Sequence, residues 1–283
     1  MLLDLDGKKA EAEAMDLRHA AAAADPHVMD VYAGEWADIE GSAVVIITAG
    51  HAERPDETQQ TLMRANYETL RMIVPRIAKH APDAVLLVAS HPVEAMTYAA
   101  FKLSGFPAPR VIGSGTALDT ARFRAELAKF YEVSPLDVNV VVAGQHGTEE
   151  VSEWSSITIN GLPLQSYCEQ TGREYSNEEL FACFLKARQA GYEILERKGS
   201  PTYSMAAGLA SIVKAIVDDE NLIMTVSVVG DFFGVQGIAL SVPARIGRGG
   251  AKAMPGWSND WREEEQLKDG ALKVQESILE LAF

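Results

Sequence analysis

Three side chains that suit acid–base chemistry on a carboxylic acid are clustered in the middle of the sequence. Asp119 and Arg122 are three residues apart, and this spacing places both on one face of a helix. His146 lies downstream in a glycine-flanked turn at residues 144–147. An arginine can bind a carboxylate through paired hydrogen bonds, and a carboxylate that bonds an imidazole stabilises its charged form. Together these side chains predict a site where His146 donates or accepts a proton near neutral pH.

The sequence before and around this site alternates between strand and helix patterns. Apolar runs rich in β-branched residues at 42–48 and 84–89 predict strands that are buried on both faces. A short strand is expected at Val111-Ile112. Helical patterns cover 8–24, 57–80 with an interruption near Pro75, 93–103, and the stretch from Asp119 to Tyr131. Such alternation is typical of an α/β fold with a parallel sheet.

The second part of the chain mixes strands and helices without strict alternation. Strands are expected at 138–142, 155–159, 223–229 and 238–242, and helices at 177–198, 206–217 and 260–281. The last helix is amphipathic, and its candidate inward positions are Leu267, Leu272, Ile278 and Leu281. We therefore expect a mixed α+β domain after a parallel one, with the boundary near Gly113.

Composition and charge argue against several classes of protein. The chain has 283 residues, 47% of them hydrophobic, which is typical of a globular protein with one large or two ordinary domains. Its net charge of -15 disfavours nucleic acid as a partner, because binding to phosphates needs a basic surface. No run is apolar enough for a membrane, and the N-terminus lacks a signal-peptide pattern, so the expected compartment is the cytoplasm. Cys168 and Cys183 lack metal-ligand spacing, and the sequence indicates no metal site.

Six short segments, taken in order, resemble the lactate and malate dehydrogenase family. They are Leu3–Leu17, Thr48–Gly50, Ser90–Val93, Val111–Arg124, Gly144–Gly147 and Ala239–Gly250. The combination is specific, although no single segment is. The resemblance implies a Rossmann-type parallel sheet at 1–112, without its first strand, followed by a mixed α+β catalytic domain at 113–283. It also implies NAD as cofactor, a small 2-oxo or 2-hydroxy acid as substrate, and a homodimer or homotetramer with Glu11–His19 at one contact.

The glycine-rich turn that holds the pyrophosphate of a dinucleotide is not found in the sequence. In such units the turn precedes the acidic residue that bonds the ribose by about 20 positions, and Asp4 occupies the place of that residue. Either the sequence given is truncated at its start, or the protein has lost its first strand and helix. Loss of a central strand would leave buried backbone groups unpaired, at about 1–3 kcal/mol each, so we expect a truncation. Asp4 favours NAD over NADP, because it would repel a 2′-phosphate.

Three further residues are assigned to the cofactor by the resemblance. Ala49 and Gly50 belong to the Thr-Ala-Gly motif after a predicted strand. Ser114 is similar to the serine that the family places near the nicotinamide carboxamide. A hydroxyl that merely stabilises a Gly-Ser-Gly bend is an equally good interpretation of Ser114.

The resemblance also assigns roles to the three central residues. His146 is similar to the proton donor and acceptor of the family, and Asp119 to the carboxylate that orients it. Arg122 is similar to the arginine that binds the substrate carboxylate. The alternatives are a structural histidine in a glycine turn, a helix N-terminal carboxylate favoured by the dipole, and an arginine in a surface salt bridge.

Three positions depart from the family pattern around the substrate. Gln59 falls where a mobile loop carries an arginine over the substrate carbonyl, and it offers a hydrogen bond without the charge. His91 replaces the asparagine of a Ser-Asn-Pro-Val motif, and a structural role for it is as open as a catalytic one. Glu53 occupies the position that sets substrate preference, where a carboxylate would repel the second carboxylate of oxaloacetate. A solvated loop glutamate is the alternative for Glu53.

These patterns predict an oxidoreductase that transfers a hydride between NAD(H) and a small monocarboxylic 2-hydroxy or 2-oxo acid of the lactate/pyruvate type. Two alternatives remain open. One is a malate dehydrogenase-like enzyme, and the other is a catalytically impaired family member that serves as an oligomeric binding module. The departures and the absent glycine-rich turn favour impairment, whereas the joint survival of Asp119, Arg122 and His146 favours the enzyme.

Overall fold

The computed structural model describes residues 1–24, 29–51, 58–257 and 260–281. The helices in these ranges are α1 (Gly7–Ala24), α2 (Gln59–His80), α3 (Val93–Ser104), α4 (Ala117–Tyr131), α5 (Leu164–Thr171), α6 (Asn177–Lys198), α7 (Thr202–Val217) and α8 (Trp261–Leu279). The strands are β1 (Val44–Ile47), β2 (Val85–Val88), β3 (Val111–Gly113), β4 (Val138–Asn139), β5 (Val142–Gly144), β6 (Glu150–Ser152), β7 (Thr158–Ile159), β8 (Leu162–Pro163), β9 (Leu222–Phe232), β10 (Val235–Gly247) and β11 (Gly250–Ala253). Within the described ranges, no helix combines the length and the apolar character needed to cross a membrane.

One sheet of eight strands runs through both halves of the chain. Its order is β1-β2-β3-β9-β10-β5-β6, with β11 paired to β10, while β4, β7 and β8 form a second sheet. β1, β2 and β3 are parallel, with Val44 beside Val85 and Leu87 beside Ile112. β9 joins β3 in the antiparallel sense. Because the carboxyl ends of the parallel strands lie at one edge, the loops after β1, β2 and β3 meet there.

Two buried apolar clusters hold the elements that carry the site. The larger one surrounds the parallel strands, and β2 is buried along its whole length. The smaller one packs Phe123, Leu127 and Tyr131 of α4 against Leu180 and Phe184 of α6. The three α4 side chains are at most 1% exposed, and burial of one such side chain contributes about 1.5–3 kcal/mol. This packing fixes the position of α4 and of the polar residues in its first two turns.

Two helix predictions were wrong in detail. α2 continues through Pro75, where the sequence predicted an interruption. Pro75 and Arg71 are exposed while Val74 and Ile77 are buried, so the carbonyl group that loses its partner faces solvent and burial of the opposite face holds the helix together. Leu272 is 40% exposed rather than inward, because the inward positions of α8 repeat every three or four residues and Leu272 falls between them.

Two strand predictions were also wrong in detail. The apolar run at 138–142 forms two short strands: β4 pairs with β7 in the small sheet, whereas β5 pairs with β10 and β6 in the large one. The segment 155–159 begins as a turn of 3-10 helix, and only Thr158–Ile159 is a strand. The backbone N–H of Ser155 donates to the Glu263 carboxylate at 3.3 Å and is therefore not available to a strand partner. Hydrogen-bond partners, rather than hydrophobicity alone, determine where these strands begin and end.

Candidate active site

Threonine hydrogen bonds join the start of α4 to β5. Thr116 Oγ1 donates to the carbonyl oxygen of Val142 at 2.6 Å, and the backbone N–H of Val142 donates to Thr120 Oγ1 at 3.2 Å. Asp119 lies between the two threonines in the first turn of α4, where the helix dipole favours a negative charge. The turn that carries His146 follows β5 directly. The same hydrogen bonds therefore bring Asp119 and His146 to one place.

The structure brings the three central residues of the predicted site into contact. One Asp119 carboxylate oxygen lies 2.6 Å from Nδ1 of His146, and the other accepts a hydrogen bond from Nη1 of Arg122 at 3.0 Å. The side chains of Asp119, Arg122 and His146 are 3%, 13% and 28% exposed. Because an ionised carboxylate can only accept, Nδ1 carries a proton, and Nε2 is the ring nitrogen that can act on a ligand.

Glycine conformation shapes the turn that presents His146. Gly144 and Gly147 have φ angles of +97° and +107°, a region that side chains with a Cβ rarely adopt. A Cβ on Gly144 would also lie 3.0 Å from the carbonyl oxygen of Glu149. The turn can therefore approach the Glu149 backbone only with glycine at this position.

Electrostatics hold Asp119 and His146 in their charged forms at neutral pH. Burial by itself would lower the pKa of His146, but the charge and hydrogen bond of Asp119, with added contributions from Glu94 and Glu150, raise it to about 9. Burial by itself would raise the pKa of Asp119, but the charge and hydrogen bond of His146, followed by those of Arg122, hold it below its usual range. The site therefore contains a protonated imidazole beside an ionised carboxylate.

Two buried glutamates face His146, and the sequence analysis identified neither of them. Glu94 on α3 is 1% exposed and accepts a hydrogen bond from Ser241 Oγ at 2.7 Å. Glu150, the first residue of β6, is 4% exposed and has a carboxylate oxygen 3.9 Å from Nδ1 of His146. Burial raises the pKa of both groups. The available signal was their position, three residues after His91 and four residues after His146.

His91 packs its ring edge-on against His146, with ring centroids 5.4 Å apart. Burial and the charge of His146 lower the pKa of His91 to about 4, against the opposing charge of Asp119, so the ring is neutral at pH 7. The carbonyl oxygen of His91 accepts a hydrogen bond from Asn66 Nδ2 at 2.6 Å, and Asn66 Oδ1 accepts one from the backbone N–H of His51 at 2.6 Å. Asn66, which the sequence analysis also missed, thus ties the loop after β1 to the loop after β2.

Ala49, Gly50 and Ser114, which the resemblance assigns to the cofactor, lie at the carboxyl ends of the parallel strands. Ala49 and Gly50 follow β1, and the Ala49 carbonyl oxygen accepts a hydrogen bond from Ser90 Oγ at 2.6 Å. Ser114 follows β3, and its backbone N–H donates to the carbonyl oxygen of Val88 at 2.8 Å. Ser114 as a residue is half-buried, and its hydroxyl makes no hydrogen bond within the described ranges. A hydroxyl beside a strand end suits a carboxamide, which has both donors and an acceptor.

Gln59 begins α2 and lines a cavity of about 280 Å³. Pro92 and Gln145, the sequence neighbours of His91 and His146, line the same cavity. Gln59 is exposed and carries no charge. The structure therefore places a hydrogen-bonding group, without a positive charge, beside the residues that flank the two histidines.

The remaining predicted site residues lie at or beyond the margins of what the structure describes. Asp4 is exposed, and its Oδ1 accepts a hydrogen bond from the backbone N–H of Asp6 at 3.0 Å, as a turn-stabilising aspartate does. This contact leaves its second oxygen available to a ligand. Glu53 lies outside the described residues.

One set of side chains in the described residues has the composition of a metal site. Ligand atoms of Asp119, His146 and Glu150 all lie within 4.8 Å of one another. The 2.6 Å between Asp119 Oδ2 and His146 Nδ1 is, however, a hydrogen-bond distance, whereas two ligands of a tetrahedral zinc ion lie about 3.3 Å apart. The arrangement fits a shared proton better than a metal ion.

Two family models together match almost the whole chain. The model for the NAD-binding domain of lactate/malate dehydrogenases matches residues 1–113. The model for the alpha/beta C-terminal domain of the same family matches residues 116–281.

Individual relatives and a solved structure agree with these models. A probable L-lactate dehydrogenase of Schizosaccharomyces pombe is 40% identical over 278 residues, which are 98% of this chain and 84% of that protein. The L-lactate dehydrogenase of Thermus aquaticus is 43% identical over 254 residues, which are 89% of this chain and 81% of that protein. The crystal structure of MGS-M5, a lactate dehydrogenase from a Medee basin deep-sea metagenome library, gives a TM-score of 0.93 at 33% identity and covers 100% of this chain and 90% of that one. The resemblance and the fold class expected from sequence are confirmed: the chain belongs to the lactate/malate dehydrogenase family.

Proposed function

We propose that this protein is an NAD-dependent 2-hydroxy acid dehydrogenase that interconverts a lactate-type hydroxy acid and the corresponding 2-oxo acid. Family membership supports NAD-linked oxidoreduction of this kind, since the matching models and relatives are lactate or malate dehydrogenases. The observation that carries the proposal is the position of Asp119, which is 2.6 Å from His146 and 3.0 Å from Arg122. This contact sets a proton donor beside a group that binds carboxylates.

Each of the three side chains has its own role in the proposed reaction. When bound, the nicotinamide supplies a hydride to the substrate carbon or accepts one from it. Arg122 binds the substrate carboxylate and fixes its orientation. His146 donates the proton on Nε2 to the carbonyl oxygen during reduction and takes it from the hydroxyl group during oxidation. Asp119 keeps the second ring proton on Nδ1 and stabilises the charged imidazole.

A monocarboxylic substrate suits the charges around the site better than a dicarboxylic one. Arg122 can neutralise one carboxylate and is the cation of the catalytic set that can bind one. Gln59 adds no positive charge near the cavity that it lines. Glu53, by its residue type, would repel a second carboxylate. These features support a lactate-type rather than a malate-type substrate.

We assign the cofactor to the edge of the sheet where the parallel strands end. Ala49, Gly50 and Ser114 would hold the nicotinamide end, and Asp4 would bond the ribose of NAD. Residues 1–112 would form the cofactor unit and residues 113–283 the substrate unit, with β9 joining them in one sheet. The 283 residues contain no glycine-rich pyrophosphate turn, and the roles given to the side chains do not depend on one.

We also propose that the protein assembles as a homodimer or homotetramer. Within the predicted contact Glu11–His19 on α1, Met15 and Leu17 are 50% and 43% exposed, and apolar side chains on a helix surface favour association. Light scattering after size-exclusion chromatography measures the mass directly. A stable particle of 30.6 kDa, the mass of one chain, would contradict the proposal.

Two free buried cysteines fit a reducing compartment, and we propose the cytoplasm.

The direct test of the proposed reaction is NADH oxidation in the presence of pyruvate by the wild type and by His146→Ala. Removal of the proton donor should lower kcat/KM by about 10²–10⁴-fold. Asp137→Asn, at an exposed position outside the site and outside the proposed subunit contact, is the control and should keep the wild-type rate. Unchanged turnover in His146→Ala would remove His146 from the mechanism.

Two further outcomes separate the alternatives. A higher kcat/KM for oxaloacetate than for pyruvate would contradict the lactate-type substrate and support a malate dehydrogenase-like enzyme. If NADH shows no saturable binding by fluorescence at millimolar concentration, the oligomeric binding module replaces the enzyme as the proposed function.

A further inference from the structure

Glu150 is a buried carboxyl group whose two oxygens accept no hydrogen bond of ordinary geometry within the described part of the chain, while the backbone N–H of Gly147 lies near enough to favour its charged form. Its side chain is 1% exposed. Other buried acidic side chains of the site are hydrogen-bonded: Asp119 through both of its oxygens, and Glu94 with Ser241. A buried carboxylate without hydrogen bonds is costly unless its charge interacts with a neighbouring group. The charged groups near Glu150 therefore determine the role of its carboxyl group.

The charged group that Glu150 faces is the ring of His146. Pairing of β6 with β5 sets this approach, because Glu150 lies opposite Gly144 and the turn between them carries His146. Oε2 of Glu150 is 3.9 Å from Nδ1, too far for a hydrogen bond but close enough for a strong interaction between charges in a buried site. Asp119 occupies the hydrogen-bonding position on the same nitrogen. Nδ1 thus lies between two carboxyl groups and is bonded to only one of them.

The cations near this pair have other partners or lie farther away. Arg122 on α4 is hydrogen-bonded to Asp119. Lys273 on α8 pairs with Glu149 at 2.7 Å. Arg188 on α6 lowers the pKa of Glu150 through its charge, but this contribution is smaller than that of His146. His146 is therefore the main cation acting on Glu150.

Two other ionisable groups lie near His146. His91, in the loop after β2, is neutral at pH 7 because its pKa is lowered to about 4. Glu94 on α3 is bonded to Ser241, and its charge contributes more than that of Glu150 to the raised pKa of His146, so the two glutamates favour the charged ring together. Neither group lies at Nδ1, where Glu150 and the ionised carboxylate of α4 meet.

We infer that Glu150 is a positioning residue that acts through His146 and extends to higher pH the range in which His146 carries its proton. When ionised, Glu150 places a second negative charge beside the imidazolium and favours the charged ring. The inference rests on the proposed function for its link to turnover. The proton on His146 itself can be measured without any substrate.

The two groups ionise in the same alkaline range, so the effect is largest there. Burial and the charge of Asp119 raise the pKa of Glu150 to about 8, while the charge of His146, the backbone N–H of Gly147 and the charge of Arg188 act against this rise. The pKa of His146 is about 9, and a charge on Glu150 in this range resists proton loss from His146. Glu150→Gln cannot ionise, so His146 should lose its proton about one pH unit earlier in that variant.

Diethyl pyrocarbonate can report the protonation of His146, because it acylates only the neutral imidazole. The rate at which the peptide containing His146 is modified would be followed by mass spectrometry from about pH 6 to about pH 10, relative to free imidazole. We expect a midpoint near the His146 pKa of about 9 in the wild type and about one unit lower in Glu150→Gln. Glu149→Gln, the same substitution one residue away on a side chain that pairs with Lys273, should keep the wild-type midpoint. Equal midpoints in the wild type and Glu150→Gln would overturn the inference.

Two further variants separate charge from structure. Glu150→Asp keeps a carboxyl group and should stay within about half a pH unit of the wild type, whereas Glu150→Ser is a second neutral variant, for use if Glu150→Gln does not fold. In turnover, the alkaline fall of kcat/KM for pyruvate should move down by the same one unit in the neutral variants, with less than about a twofold change near pH 6. An equal loss at every pH would show a structural role and contradict the inference. Absence of turnover in the wild type would refute the proposed function alone, since the modification midpoints need no substrate.

Discussion

The candidate site joins two regions that stabilise their polar groups in different ways. In the region formed by α4, β5 and β6, charged side chains compensate one another, and Asp119 lies 2.6 Å from the ring of His146. In the region formed by the loops after β1 and β2, a neutral amide connects two stretches of backbone. Asn66 bonds the N–H of His51 and the carbonyl group of His91, each at 2.6 Å.

This difference indicates that the two regions respond differently to pH. In the first region, formed by α4, β5 and β6 and called the charge region, the protonation of His146 changes with pH because its pKa depends on ionisable neighbours such as Glu150. In the second region, formed by Asn66 and the loops after β1 and β2 and called the amide region, the folded chain keeps one protonation state near pH 7. Asn66 has no titrating group, and the pKa of His91 is lowered to about 4. Changes in the charge region should therefore affect the reaction first, and changes in the amide region should affect stability first.

The largest effect is expected from Asp119→Asn, which removes the carboxylate charge between His146 and Arg122. An amide can donate to Nδ1, which would favour the wrong ring tautomer, and it cannot stabilise the imidazolium. Loss of the orienting aspartate from a histidine pair of this kind costs about 10⁴-fold in other enzymes, so we expect kcat/KM for pyruvate to fall by about 10³–10⁴-fold. Steady-state kinetics measure the fall, with the exposed Asp137→Asn as the control. A fall of less than tenfold would show that Asp119 does not act on His146 during turnover.

A smaller effect, and on a different property, is expected from Asn66→Ala. The change removes two hydrogen bonds and leaves the partly buried backbone groups of His51 and His91 unpaired. We expect the free energy of unfolding to fall by about 2–3 kcal/mol in urea titrations at pH 7. The midpoint of the pH dependence of His146 should stay at its wild-type value.

Glu68→Ala is the matched control for this variant, because Glu68 lies on the same helix and forms an exposed ion pair with Arg71 at 3.0 Å. Its free energy of unfolding should stay within about 0.5 kcal/mol of the wild type. If Asn66→Ala were no less stable than Glu68→Ala, the amide would not hold the two loops together.

The two regions also differ in how far the sequence predicts them. Local patterns sufficed for α6, which was predicted at 177–198, where Ser176 accepts a hydrogen bond from Glu179 N–H and Gly199 adopts a φ of +86°. They also sufficed to place the carboxylate and guanidinium of α4 on one face, because helical periodicity fixes neighbours three residues apart. They did not reveal the short helix α5. The parallel pairing of β1 and β2 followed from their apolar runs, but the predicted burial on both faces holds only for β2. The prediction was wrong for β1, because β1 is an edge strand in which Ile46 is 44% exposed.

Contacts that depend on tertiary structure could not be predicted from the sequence. Asn66 bonds backbone atoms 15 and 25 residues away, and no local pattern encodes such contacts. The approach of Glu150 to His146 depends on the register of β6 against β5, which the split of the run at 138–142 concealed. The pairing of Asp119 with His146 spans 27 residues. Their residue types suggested it and the family resemblance assigned it, but no local pattern brings the two side chains together.

The smallest effect is expected from His91→Asn, at the point where the two regions touch. The pKa of His91 is about 4 in the folded chain against a usual value of 6.5, so the unfolded chain binds an additional proton between these pH values. Stability should therefore fall as the pH falls through this window, by about 1 kcal/mol between pH 7 and pH 5.5 on account of His91.

Asparagine cannot take up this proton, so urea unfolding of His91→Asn should show a loss smaller by that amount. Gln189→Asn, an exposed and non-titrating position on α6, is the control and should show the wild-type loss. Equal pH dependence in the wild type and His91→Asn would mean that His91 is charged in the folded chain as readily as in the unfolded one. His91 in the amide region would then change its protonation state in the same pH range as the unfolded chain. The two regions would no longer differ in their response to pH where His91 contacts His146.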